Sequence, residues 1–245
     1  MKYISLRFLC VPVIALLLGG CDNDPGFEPI NQERTFLHIL NTYSGIESLD
    51  LYTESLETNR LFAGNVSFME GWPEGGYATL LTAPNPDSIS GEGGVTIRVM
   101  HRRPDTALID PQTLILNPRL YSTIAVIDSF GKAQLVKTID IFNPPGDSLA
   151  NLRFMNLNFD FLSVTLRNPD STILVPGLNF LNYSSFENVP IGTYDFEFVN
   201  SLNEQVIETL PQVEIEEGKT YNFYFASEQG LPTANVETLE IVIID

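Results

Sequence analysis

Leu37-His38-Ile39-Leu40-Asn41 returns later in the chain as Leu152-Arg153-Phe154-Met155-Asn156. At the same interval after each asparagine, with no gap, comes Ser48-Leu49-Asp50-Leu51 in one copy and Ser163-Val164-Thr165-Leu166 in the other. Leu114-Ile115-Leu116 before Tyr121 then matches Val213-Glu214-Ile215 before Tyr221. Finally, Val136-Lys137-Thr138-Ile139-Asp140-Ile141-Phe142 matches Val236-Glu237-Thr238-Leu239-Glu240-Ile241-Val242. Collinear matches of this kind predict two homologous domains, residues 33–143 and 150–245. Residues 144–149 join them, and Pro144-Pro145-Gly146 in that stretch breaks any strand and stiffens the linker.

The hydrophobic period in both copies is two. In Tyr194-Asp195-Phe196-Glu197-Phe198 the rings face one way and the acids the other. Tyr221-Asn222-Phe223-Tyr224-Phe225 is apolar on both faces, as a central strand buried in a sandwich should be. Asn168-Pro169-Asp170, Pro176-Gly177, Pro190-Ile191-Gly192 and Glu216-Glu217-Gly218-Lys219 read as turns between strands. No stretch after the leader carries a capped helical stripe. Short strands at this spacing predict an all-β chain of two tandem immunoglobulin-like or transthyretin-like antiparallel β-sandwich domains. Copy one differs by a long polar insertion, 82–94, at a point that copy two crosses in a few residues.

Outward from these domains lies an N-terminal leader. Lys2 and Arg7 precede an apolar run, Phe8 to Leu18, too short to span a membrane but suited to a signal-peptide core. Leu18-Gly19-Gly20-Cys21 reads as a lipobox. Residues 1–20 are therefore expected to be removed as a lipoprotein signal peptide, with Cys21 taking the lipid, palmitate among its acyl chains. Two chains already give stable anchoring, at about 0.8 kcal/mol per buried CH₂. Residues 21–32 read as a flexible acidic tether, reaching at most about 40 Å. Cys10 leaves with the leader, so no disulfide or thiolate metal site is expected. The formal charge is −18, and loss of Lys2 and Arg7 makes the exported chain more acidic still. Such a surface excludes nucleic acid as a partner and repels anionic headgroups. Asp22, Asn23, Asp24 and Glu28 after the cysteine resemble the export signal of surface-displayed lipoproteins. The expected location is the outer membrane, lipid-anchored, at the cell surface.

Several strand and turn motifs resemble those of the bacterial extracellular family called domain of unknown function 4397. They are Arg153-Phe154-Met155-Asn156, Leu49-Asp50-Leu51, Pro190-Ile191-Gly192-Thr193-Tyr194 and Glu216-Glu217-Gly218-Lys219-Thr220-Tyr221. Copy one lacks the Pro-x-Gly-x-Tyr and has Asn117-Pro118-Arg119-Leu120-Tyr121 at the second turn. The resemblance implies tandem extracellular β-domains with no catalytic residues.

The catalytic inventory is thin. His38 and His101 are the two histidines. His38 aligns with Arg153 on a strand and is expected to face outward, while His101 is expected at an exposed strand end. No His-Glu-x-x-His, Gly-x-Ser-x-Gly or Cys-x-x-Cys occurs. Asn85, Asp87 and Glu92 could supply oxygens to a calcium ion in the copy-one loop, but their spacing does not match an EF-hand loop and the glycines there suit a flexible rim equally well, so no metal or cofactor is expected. Trp72, the single tryptophan, and Tyr77 are the candidate ligand-binding aromatics, with sugar stacking weighed against plugging the end of a core. Ser88, Thr106, Ser148 and Ser171 each follow an aspartate in the pattern of a bacterial O-glycosylation acceptor, though Asp-Ser is also ordinary turn chemistry. The function expected is a non-catalytic interaction module whose partner is an envelope protein or an extracellular glycan. A structural spacer or assembly subunit is the alternative, and a small glycan-acting hydrolase a distant third.

Overall fold

The computed structural model describes residues 33–45, 47–54, 59–74, 76–82, 93–101, 109, 112–116, 120–129, 132–143, 145–228 and 230–239. Cys21, Ser88, Thr106 and the oxygen-rich loop at Asn85, Asp87 and Glu92 lie outside these residues.

The first half of the fold runs β1 (Glu33–Thr42), β2 (Ser48–Glu54), β3 (Asn59–Ser67), β4 (Glu70–Trp72), β5 (Ala78–Thr82), β6 (Gly93–His101), β7 (Gln112–Leu116), β8 (Tyr121–Ser129) and β9 (Lys132–Lys137). The second runs β10 (Leu149–Asn156), β11 (Ser163–Arg167), β12 (Ile173–Asn179), β13 (Glu187–Pro190), β14 (Gly192–Asn200), β15 (Val206–Ile215), β16 (Thr220–Glu228) and β17 (Leu231–Leu239). Each half makes a two-sheet sandwich. The first stacks β3-β2-β6-β7 on β4-β1-β8-β9, with β5 also paired to β1. The second stacks β12-β11-β14-β15 on β13-β10-β16-β17. The chain is thus an all-β pair of tandem sandwiches, as the period-two pattern requires. Its sheets are mixed rather than purely antiparallel: β1 runs parallel to β8, and β10 parallel to β16.

Alternation along each strand fills the two cores. Leu37, Ile39, Leu49, Leu51, Ile124 and Val126 pack inside the first sandwich. Leu152, Phe154, Val164, Leu166, Phe196, Phe198, Phe223 and Phe225 pack inside the second. Each such side chain contributes about 1.5–3 kcal/mol on burial. The intervening residues of β1, β8, β10 and β16 point out of their own sandwich, yet they too are buried. Leu40, Ala125 and Ile127 of the first half meet Met155, Leu157, Tyr224 and Ala226 of the second in a third apolar cluster. The two sandwiches therefore pack face to face across β1/β8 and β10/β16, within the compact unit Glu33–Asp245. This explains the two-faced apolar pattern of Tyr221–Phe225: one face serves its own core and the other serves the neighbouring sandwich.

The repeated asparagine has the same task in both halves. Asn41 Nδ2 donates to the Val66 carbonyl at 2.9 Å, and its Oδ1 accepts the Tyr43 N–H at 3.1 Å. Asn156 Nδ2 donates to the Leu178 carbonyl and to the Phe161 carbonyl, both at 3.0 Å, and its Oδ1 accepts the Asn158 N–H at 3.3 Å. Val66 and Leu178 are themselves equivalent, facing Leu49 and Val164 across their hairpins. Each asparagine staples an inner strand to the opposite sheet.

Two sequence expectations are corrected here. Pro176-Gly177 is not a turn but a β-bulge within β12, where the pairing slips between Val164 and Leu166. Gly177 takes φ +38° and donates its N–H to Thr165 Oγ1 at 3.0 Å. Copy one has the same device: Asn65, φ +58°, donates its N–H to Asp50 Oδ1 at 2.7 Å. The polar residue of Leu49-Asp50-Leu51 is thus the acceptor that holds a bulge. Secondly, Tyr121 is not the counterpart of Tyr221. Leu37 pairs with Ser122 and Leu152 with Tyr221, so Ser122 holds the equivalent position. A slip of one residue moves a side chain to the other face of its sheet, and Tyr121 consequently faces the second sandwich.

Candidate functional site

The seam between the sandwiches gathers the buried ionic chemistry that the structure describes. Alternation sets it up. His38 and Thr123 are register partners on β1 and β8 and point the same way. Arg153, Asn222 and Glu237 are register partners across β10, β16 and β17 and point back at them. His38 is not outward and exposed but fully buried, because the outer face of its sheet is covered by the second sandwich.

Arg153, almost fully buried, crosses from the second sandwich to the first and pairs through Nη1 with Asp140 Oδ1. Its Nη2 donates to Thr123 Oγ1 at 3.2 Å and its Nε to Asn222 Oδ1 at 3.1 Å. The guanidinium lies 4.6 Å from the centre of the Phe186 ring. Asp140 also accepts from Thr138 and Thr123, both at 2.6 Å, and from the Tyr77 hydroxyl at 2.7 Å. Burial pushes the Asp140 carboxyl up, but Arg153 and the three hydroxyls outweigh that and hold it below the ordinary carboxylate range. Burial, reinforced by the Asp140 charge, raises the Tyr77 hydroxyl well above its ordinary value. Such a pair holds because both carboxylate oxygens and all three guanidinium nitrogens have partners.

The second contact is His38 with Glu237. Nδ1 donates to the Gly76 carbonyl at 2.8 Å, since a carbonyl can only accept. Nε2 lies 2.9 Å from Glu237 Oε2. Gly71 leaves room for this pair, because a Cβ there would run into the imidazole and the carboxylate. Deeper along the seam, Tyr224 donates to the Met69 carbonyl at 2.9 Å, with Asn235 Nδ2 beside both. Burial, with Glu237 nearby, raises the Tyr224 hydroxyl far above its ordinary value.

Toward the linker the seam turns aromatic. Tyr121 stacks on Phe36 at 4.7 Å and meets Tyr77 and Phe142 edge-on at 4.9 and 5.4 Å. Phe142, just before the linker, reaches Phe186 of the second sandwich at 4.8 Å. Asn151 Nδ2 donates to the Asn143 carbonyl at 2.6 Å, so the connecting segment is fastened to the second sandwich.

Of the residues singled out from sequence, Tyr77 lies in this seam. Trp72 lies elsewhere, half-buried, edge-on to Phe62 at 5.1 Å and against the first core. Ser148 and Ser171 are exposed and take φ +59° and +69° in turns. The side chain of His101 lies outside the description. Sequence reasoning missed Asp140, Arg153 and Glu237. The signal available was a charged residue inside a strand otherwise apolar on both faces, as in Leu152-Arg153-Phe154-Met155. Among the described residues no three His, Cys, Asp or Glu side chains converge to hold a metal ion. The arrangement can clamp two sheets together.

No family model matches the chain, and no curated protein matches it. Among solved structures, a protein from Bacteroides uniformis, provisionally described as a cell adhesion protein, aligns over 84% of this chain and 96% of its own. The identity is 10% and the TM-score 0.22, a superposition too loose to carry an argument.

Proposed function

We propose that the chain is a lipid-anchored, non-catalytic interaction module of the bacterial outer membrane, displayed at the cell surface. The observation that carries the non-catalytic reading is the seam. His38, Asp140, Arg153 and Glu237 are spent on holding the sandwiches together, with hydroxyls and carbonyls closing the remaining positions. His38, Asp140 and Arg153 are buried, and Glu237, though partly exposed, is turned onto His38, so the seam's charges face one another rather than an open cleft. The anchoring rests on the Leu18-Gly19-Gly20-Cys21 lipobox, and the surface location on the acidic residues that follow it. The partner is an envelope protein or an extracellular glycan. The spacer alternative gains nothing from the fold, since sandwiches packed face to face add little reach.

The two copies are divergent relatives of domain of unknown function 4397. That reading is supported by the work its motif residues do, above all Asp50 at its bulge and Asn156 at its staple. Ser148 and Ser171 are O-glycan acceptors in a host with that machinery, and their exposed turns suit them to it.

Protease shaving of intact cells tests display. Loss of the chain from the surface supports the proposal, and protection moves it to the periplasmic face. Growth with an alkynyl palmitate tests the anchor: label on the wild type and none on Cys21→Ala is expected, and label on neither sinks the lipoprotein reading. Intact mass of protein from the native host tests glycosylation.

A further inference from the structure

The far end of the second sandwich carries an apolar tip that neither core uses. Leu162 precedes β11, Leu202 lies in the turn between β14 and β15, and Leu231 opens β17. They are 66%, 78% and 69% exposed, among the most exposed large apolar side chains described. Hydrogen bonds bring their segments to one end. Ser201 N–H donates to the Ser163 carbonyl at 3.0 Å, placing the Leu202 turn beside Leu162. Ser227 Oγ donates to Asp160 Oδ2 at 3.3 Å, placing the loop before β11 beside the β16–β17 turn. The connecting segment and the start of β10 lie at the opposite end of the same strands.

Charge states what fits there. Asp160, Glu204 and Glu228 are exposed around the leucines. The second sandwich has three cationic residues, and none stands at this end: Arg153 is buried in the seam, Arg167 ends β11 and pairs with Glu197 at 2.9 Å, and Lys219 precedes β16. An apolar tip ringed by carboxylates repels anionic lipid and repels a second copy of itself. It complements a polypeptide surface on which lysine or arginine surrounds an apolar patch.

We infer that the Leu162/Leu202/Leu231 tip is a docking surface for a protein partner with such a basic-rimmed apolar face. The inference rests on the interaction-module reading and gives that module its contact surface.

The test compares the full chain with its Leu162→Ser, Leu202→Ser, Leu231→Ser variant, both carrying Cys21→Ser so that no acyl group interferes. The probe is a fluorescein-labelled helical peptide made only of leucine and lysine, with an all-lysine peptide of equal charge as its control. Fluorescence anisotropy is expected to show the leucine–lysine peptide bound at least about tenfold more weakly by the variant, and the all-lysine peptide bound equally by both. Equal affinity of both proteins for the leucine–lysine peptide overturns the proposal. So does capture of the wild type but not the variant by phosphatidylcholine vesicles, which makes the tip a lipid contact. So does a wild-type dimer in sedimentation that the substitutions dissolve, which makes the occupant a second copy. The substituted side chains are exposed, so folding is preserved, and an unchanged circular dichroism spectrum checks it. The assay uses soluble protein, so its failure leaves cell-surface display standing, and failure of shaving leaves the docking result standing.

Discussion

Arg153 of the second sandwich forms its ion pair with Asp140 of the first, and both side chains are buried. The two halves therefore share their most costly polar groups. Removing either partner strands a charge in a dry interface, at a cost of about 3–5 kcal/mol. Arg153→Met and Asp140→Asn should each lower the urea midpoint strongly. The double variant should cost much less than the sum of the two, and additive costs would show that the side chains do not meet.

The Asp140 carboxyl sits below its ordinary range in the folded protein. A carboxyl depressed by folding adds stability above its unfolded pKa, and that stability is lost as pH falls through the folded value. The expected loss lies below about pH 4, where ordinary carboxyls take up protons. Urea titrations from pH 7 to pH 2 should show a steeper acid decline for the wild type than for Asp140→Asn. Parallel declines would contradict the assignment.

Gly71 tests the second contact. Alanine there drives a methyl into His38 and Glu237, and overpacking of this kind costs about 1–3 kcal/mol. Gly71→Ala should lower Tm. Gly71→Ser, bulkier still, should lower it further, and a Gly71→Ala protein that melts with the wild type would contradict the contact.

The repeated asparagines should behave alike. Asn41→Ala leaves one carbonyl and one N–H without the amide that served them, and Asn156→Ala leaves two carbonyls and one N–H, at about 1–3 kcal/mol per group. Both denaturation midpoints should fall, that of Asn156→Ala by at least as much as that of Asn41→Ala. A neutral result at one site would break the structural equivalence of the copies.

Much of this fold could be read from residue types alone. Leu49-Asp50-Leu51 and Phe196-Glu197-Phe198 alternate because each faces one core, and Asn41 and Asn156 recur because each staples its own sandwich. The face-to-face packing was written less plainly. Tyr221–Phe225 reads as the central strand of one sandwich, but such a strand has one face in its own core, and the apolar second face here is covered by the neighbouring sandwich. Arg153 and His38 looked like outward-facing polar residues, since local alternation cannot say what covers the outer face. The Tyr121 slip came from matching an aromatic to an aromatic when the ladder equates Ser122 with Tyr221. Pro176-Gly177 has turn chemistry, and a bulge uses the same positive φ.

The account stands on the two sandwiches behaving as one packed body. Met155 belongs to the second sandwich and is buried against the first, while Trp72, the single tryptophan, reports from the first. Met155→Asp places an unpaired carboxylate in the seam. The expected result is a Trp72 fluorescence transition that moves to lower urea together with the circular dichroism transition. A Trp72 transition that stays in place while the second sandwich melts early would contradict the account.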